Sequence, residues 1–215
     1  MVAPHLIAGR IWEEKRDVFF QRFLGLSTNT VAAAEAKLRN WWAAVPSLDP
    51  RLEPMITQFI AAKVVRSKAE FFRRAIPFAL HGDAVPCTTR MSLDCISWYP
   101  CIPSSLPTID KKWLISAVLN RCVAPRTLQV LWTVILWSLT AFVHGVHPDA
   151  DYQGRDFLSG SDASVNAGAQ VCGGFFFCLW MVKGDLEYFA NYLHLNHFAS
   201  MFPCPWCDCN SLAFT

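Results

Sequence analysis

The strongest constraint on the fold of this chain is a change in hydrophobic rhythm near Ile76. Downstream of it, apolar residues gather in short runs bounded by turn formers, at Pro77 to His81, Cys95 to Cys101 and Trp113 to Leu119. Runs of that length suit strands. A longer apolar stretch follows from about Thr127 to Val143, and its length and composition predict a helix. Strands followed by a helix imply a mixed sheet. The run from Val171 to Met181 is apolar throughout, so its periodicity fits a central strand and a buried helix equally well. After Gly184, the spacing of Leu186, Phe189, Leu193 and Phe198 is near-helical over Asp185 to Phe198.

Upstream of Ile76 the chain reads as helices. They are expected over Trp12 to Leu24, over Thr30 to Ala44 behind the capping cluster Ser27-Thr28-Asn29, and over Glu53 to about Arg74 behind Pro50. The expected fold class is therefore α/β, with a helical accessory region over residues 1 to 75 and a mixed-sheet core over residues 76 to 215 that ends in a Cys-rich segment.

Hydrophobic residues make up 53% of the chain and charged residues 17%, a balance opposite to that of disordered chains. Such an excess also suits a piece whose apolar surfaces rest against further sequence. The net charge of +2 hides an asymmetry: residues 1 to 80 carry 12 Lys and Arg against 7 Asp and Glu, and the remainder carry 7 against 10. A basic helical region attracts phosphate backbones by counterion release. Clusters such as Lys63, Arg66, Lys68, Arg73 and Arg74 are, however, more often solvated helix faces.

Nine cysteines, an odd number, follow an N-terminus without the pattern of a secretory signal, which disfavours a disulfide scaffold. Cys87, Cys95, Cys101, Cys122, Cys172 and Cys178 lie among apolar residues and are expected in the core. Two stretches bear on a membrane reading, Leu128 to Val146 and Val171 to Val182. A spanning helix needs about 20 mainly apolar residues, whereas the first stretch is broken by Gln129, Thr133, Ser138, Thr140 and His144 and the second is too short. A buried core is favoured for both.

Two carboxylates stand directly behind apolar runs. Asp83, in His81-Gly82-Asp83-Ala84-Val85-Pro86, falls at the end of an expected strand, where Gly82 permits close approach of a backbone or ligand. Read alone, Gly82-Asp83 is better taken as a turn. Asp185, in Lys183-Gly184-Asp185-Leu186-Glu187, is alone readable as a helix N-cap. Together they suggest more, because phosphoryl transfer on nucleic acid uses carboxylates from separate segments that converge on divalent ions. Hard Mg²⁺ takes such oxygen ligands. Near the C-terminus, Cys204, Cys207 and Cys209 form a C-x-x-C-x-C cluster suited to zinc, with His194 and His197 or residues beyond Thr215 as further ligands.

Taken in order, these segments resemble the catalytic region of eukaryotic cut-and-paste transposases of the CACTA (En/Spm-like) and Kyakuja-Dileera-Zisupton groups. The resemblance runs through HGDAVP, then Ile96-Ser97-Trp98-Tyr99-Pro100, then LQVLWTVILWSLTAFVHGV with the HPDADYQGRDF loop, and then GDLEYFANYLHLNHFASMFPCPWC. It spans roughly residues 76 to 210. It implies a partial ribonuclease H-like fold, DNA as partner, a nuclear location and Mg²⁺ or Mn²⁺ as cofactor, with Asp83 and Asp185 as the first and second catalytic, metal-binding acids. The wording after Asp185 departs from the family's commoner form, which leaves Glu187 as a substitute. The family's third acid follows a Cys- and His-containing insertion, and nothing here matches it. The missing C-terminal part of the same protein is therefore an expected partner, and the chain is expected to be inactive alone. Two other readings stand beside this one: a non-catalytic zinc-bearing module that binds nucleic acid or protein, and an integral membrane protein.

Overall fold

The computed structural model describes residues 1–45, 49–124, 126–185, 188, 189, 193 and 195. The N-terminal region is helical, through α1 (Pro4–Glu14), α2 (Arg16–Leu24), α3 (Val31–Ala44), α4 (Leu52–Ala61) and α5 (Lys68–Arg74). The expected first helix is thus two, meeting at Lys15, and the expected third is broken between Ala61 and Lys68. Local chemistry sets several ends. Thr30, one residue beyond the expected capping cluster, accepts the Ala33 N–H at 3.4 Å and opens α3, while Ser67 accepts the Glu70 N–H at 3.2 Å and opens α5. Gly25, at φ 63°, closes α2 in the left-handed conformation that glycine adopts without strain.

The second part of the chain forms β1 (Ala75–Thr88), β2 (Met91–Pro100), α6 (Thr108–Lys111), β3 (Trp113–Leu119), α7 (Thr127–His144), α8 (Asp162–Asn166) and β4 (Phe176–Lys183). The four strands make a mixed sheet in the order β3-β2-β1-β4. β1, β2 and β3 are an antiparallel meander, and β4 lies parallel to β1 on its other side. A parallel neighbour needs a long crossover, and the chain from β3 to β4 carries α7 within it. The ambiguous run from Val171 resolves as a strand from Phe176. Gly173 and Gly174, at φ 56° and 86°, interrupt any helical continuation before it.

Alternation along β1 sends its side chains to two covered faces. Phe78 meets Phe142 of α7 and the β2 residue Trp98, which also stacks on Phe23 of α2. On the other face, Phe176 of β4 meets Phe59 of α4 and Phe71 of α5, and Trp42 of α3 donates from its indole to the Ala75 carbonyl at 3.0 Å. The sheet is therefore the middle of three layers. That burial on both sides explains why Ala75 to Leu80 is continuously apolar. Helices from residues 1 to 75 lie on both faces and share one hydrophobic core with the strands.

Helix α7 has the length and apolar composition of a membrane span, with 33% of it buried. Ile135, Leu139 and Phe142 face the core, and outward-facing Thr133 and Thr140 return their hydroxyls to the carbonyls of Gln129 and Leu136. The expectation of six core cysteines needs correction. Cys172 and Cys178 are buried, Cys95 and Cys101 are half-buried, and Cys87 and Cys122 are exposed. Cys87 follows β1 out beyond the layers, and Cys122 sits in the short 3-10 turn after β3, where neither helix layer covers it.

Candidate functional site

The parallel pairing of β1 with β4 puts the two candidate acids on adjacent chain segments, each two residues beyond the last register pair. His81 pairs with Lys183, and parallel strands run about 4.8 Å apart. One residue further, Gly184 still lies against Gly82, since a Cβ on Gly184 would sit 3.1 Å from the Gly82 carbonyl oxygen. Asp83 and Asp185 are the next residue on each segment, and both are exposed. Asp83 lies inside a strand rather than at its end. β1 continues to Thr88 because β2 keeps pairing with it, Asp83 opposite Cys95 and Val85 opposite Leu93, well past the point where β4 stops. Gly82-Asp83 is accordingly no turn.

Asp185 caps the segment that follows it. Its Oδ1 accepts the Tyr188 N–H at 2.6 Å, and its carbonyl accepts the Phe189 N–H at 3.2 Å. The N-cap reading is thus realised through Oδ1. Glu187 and the proposed zinc ligands His194, His197, Cys204, Cys207 and Cys209 lie outside the described residues. Among the described residues, no three His, Cys, Asp or Glu side chains converge closely enough to hold a metal.

Gly82 has a structural task of its own. The ring of Tyr188 packs directly on it, and a Cβ there would fall 1.9 Å from two ring atoms. Tyr188 is buried, and burial pushes its hydroxyl up to about 12. Gly82→Ala is expected to displace this ring at a cost of about 1–3 kcal/mol, and to return the Tyr188 titration towards about 10. Ultraviolet difference titration of tyrosinate checks this. An unchanged profile for Gly82→Ala would show that Tyr188 does not rest there.

At the last β1–β4 register pair, His81 with Lys183, lies an open cleft of about 430 Å³ whose walls also include Tyr99, Lys111 and Lys112. Two ammonium groups lie over the Tyr99 ring, Lys112 at 5.8 Å and Lys183 at 5.9 Å from its centre. Burial lowers the His81 pKa; Lys112 and Lys183 push it further down, and Asp83 opposes them. Sequence reasoning passed over these lysines because they lie more than 70 residues apart; the one local signal was the Lys111-Lys112 pair before an apolar run.

A second cavity, of about 530 Å³, lies between α1, α7 and the loop from His147 to Asn166. His5 enters it from α1. Its Nδ1 meets the Ser138 hydroxyl at 2.8 Å, and its ring lies 5.9 Å from that of His147. Burial first, and the nearby His147 second, lower His5 to about 4. The basic cluster at the end of the N-terminal region is partly neutralised, with Arg74 on Glu35 at 2.8 Å and Lys68 on Glu53. Lys63, Arg66, Lys68 and Arg73 are exposed, as on a solvated face, whereas Arg74 is half-buried over the Phe175 ring.

No family model matches the chain, and no curated protein or solved structure matches it either.

Proposed function

We propose that this chain is part of a transposon-derived, DNA-processing protein with a partial ribonuclease H-like core, in which Asp83 and Asp185 form a carboxylate pair for Mg²⁺ or Mn²⁺. One observation carries the reading: β1 and β4 are adjacent and parallel, with the two acids on neighbouring residues just beyond their last pair. A sheet whose first and fourth strands are neighbours is what such a core needs if its first two acids are to meet. The donor set fits the ion. Mg²⁺ keeps several waters and is usually held by one or two carboxylates together with substrate phosphates, so it needs no closed protein cage.

In this reading the bound ion supplies charge neutralisation for phosphoryl transfer on a nucleic-acid strand. The chain's own residues set the geometry. Paired backbone fixes Asp83 within β1, the Tyr188 N–H fixes one oxygen of Asp185, and the Tyr188 ring holds the two segments together over Gly82. With two of the family's three acids matched, metal binding rather than strand cleavage is the activity expected of this chain alone.

Titration with Mn²⁺ at neutral pH, read from the electron paramagnetic resonance signal of the free ion, tests the pair. Asp83→Asn and Asp185→Asn are each expected to weaken binding by about tenfold or more, since each removes a charged oxygen ligand. Equal affinity in wild type and in the double variant would refute the assignment.

A further inference from the structure

We infer that the cleft between His81, Tyr99, Lys111, Lys112 and Lys183 is a binding site for phosphate groups. The cavity is of suitable size and open to solvent, at about 430 Å³. It draws three cations from two parts of the chain: Lys111 and Lys112 from the end of α6 and the residue after it, and Lys183 from the end of β4. Lys111 and Lys112 are half-buried and Lys183 is exposed. The described residues provide no carboxylate within ion-pair distance of any of the three. The adjacent Asp110 is turned to Arg22, at 3.7 Å. An anion bound in the cleft would supply the counter-charge that the described carboxylates do not.

The chemistry of the walls narrows the ligand. Lysine is a compact, three-donor cation suited to tetrahedral oxyanions, and Thr108 adds a hydroxyl to the same wall. His81 adds an imidazole nitrogen to the same lining. Tyr99 lies under two ammonium groups, and stacking a base on that ring would displace them. The cleft is therefore built to hold phosphate and not to read bases. Its location agrees with the tendency of ligands to bind beyond the carboxyl ends of parallel strands, because His81 and Lys183 are the last paired residues of β1 with β4. Phosphate held here does not require metal at Asp83 or Asp185.

Fluorescence polarisation of the full chain with a labelled single strand of about 12 nucleotides tests the site, with inorganic phosphate and pyrophosphate as competitors. The triple variant Lys111→Gln, Lys112→Gln, Lys183→Gln is expected to lose about tenfold in affinity and about 2 in the slope of log affinity against log salt. A control that removes the same charge elsewhere, Lys15→Gln, Lys37→Gln, Lys63→Gln, is expected to lose less than about twofold. Competition by millimolar phosphate, lost in the cleft variant, assigns the site to free phosphate; binding of the strand without such competition assigns it to phosphodiesters. Acetylation of wild-type lysines provides a readout independent of any variant, with Lys111, Lys112 and Lys183 protected by the bound ligand. Equal losses in the two triple variants, absence of protection at these lysines, or no binding of strand or phosphate would each overturn the inference. Asp83→Asn and Asp185→Asn should leave phosphate binding in place in metal-free buffer, so failure of the metal pair and failure of the cleft are separately visible.

Discussion

Trp98→Ala is expected to lower stability by about 3–5 kcal/mol, enough to unfold much of a domain of ordinary stability. The side chain is fully buried where three elements meet. Its rings stack with Phe23 of α2 at 5.5 Å, meet Phe142 of α7 edge-on at 4.9 Å, and lie 5.8 Å from Phe177 of β4. Truncation would open a cavity that these large rings cannot all collapse to fill. Trp98→Phe is expected to cost far less, because the indole Nε1 has no hydrogen-bond partner among the described residues and its removal deletes an unsatisfied buried donor. Urea unfolding followed by circular dichroism compares the two. Equal losses for Ala and Phe would mean that the nitrogen, and not the ring volume, is what this site requires.

Acid should destabilise the fold through His5 by about 3 kcal/mol between pH 6.5 and pH 4. The sign follows from the folded pKa lying below the unfolded one. In that window the unfolded chain takes up a proton that the buried ring does not, so the stabilisation is present above pH 6.5 and is lost as pH falls through about 4. His147 is shifted in the same direction by burial and adds to the effect. Charging both rings would place two cations within one cavity, with ring centres 5.9 Å apart. Urea unfolding at several pH values, for wild type and His5→Gln, isolates the contribution. A variant whose stability falls as steeply with acid as the wild type would exclude His5 as its source.

Much of the architecture was legible in the sequence because the periodicities differ sharply. Trp113–Leu119 was delimited as observed, and the long apolar helix was placed to within one residue of Thr127–His144. The hairpin arm was missed. Asp83 to Thr88 is exposed and lacks the apolar run that marks a buried strand, yet its backbone goes on pairing with β2. The break at Lys15 was missed as well, because helical spacing continues through it from Trp12 to Phe19 while the backbone turns. Of the candidate site, the sequence supplied Asp83 and Asp185 from their places behind apolar runs, but their placement on adjacent segments depends on a parallel pairing that no local pattern encodes. The same is true of the lysine cleft, where Lys112 and Lys183 are brought over one tyrosine ring by chain topology alone.

The proposed sharing of one ion by Asp83 and Asp185 is tested directly by letting Fe²⁺ replace Mg²⁺ and cut the backbone through locally generated hydroxyl radicals. In the presence of ascorbate and peroxide, the account predicts two sets of fragments from the wild-type chain, one from cleavage around Asp83 and one around Asp185, both suppressed by excess Mg²⁺ and by Asp83→Asn. Cleavage confined to one of these segments, or cleavage elsewhere that survives Asp83→Asn, would contradict a shared metal site.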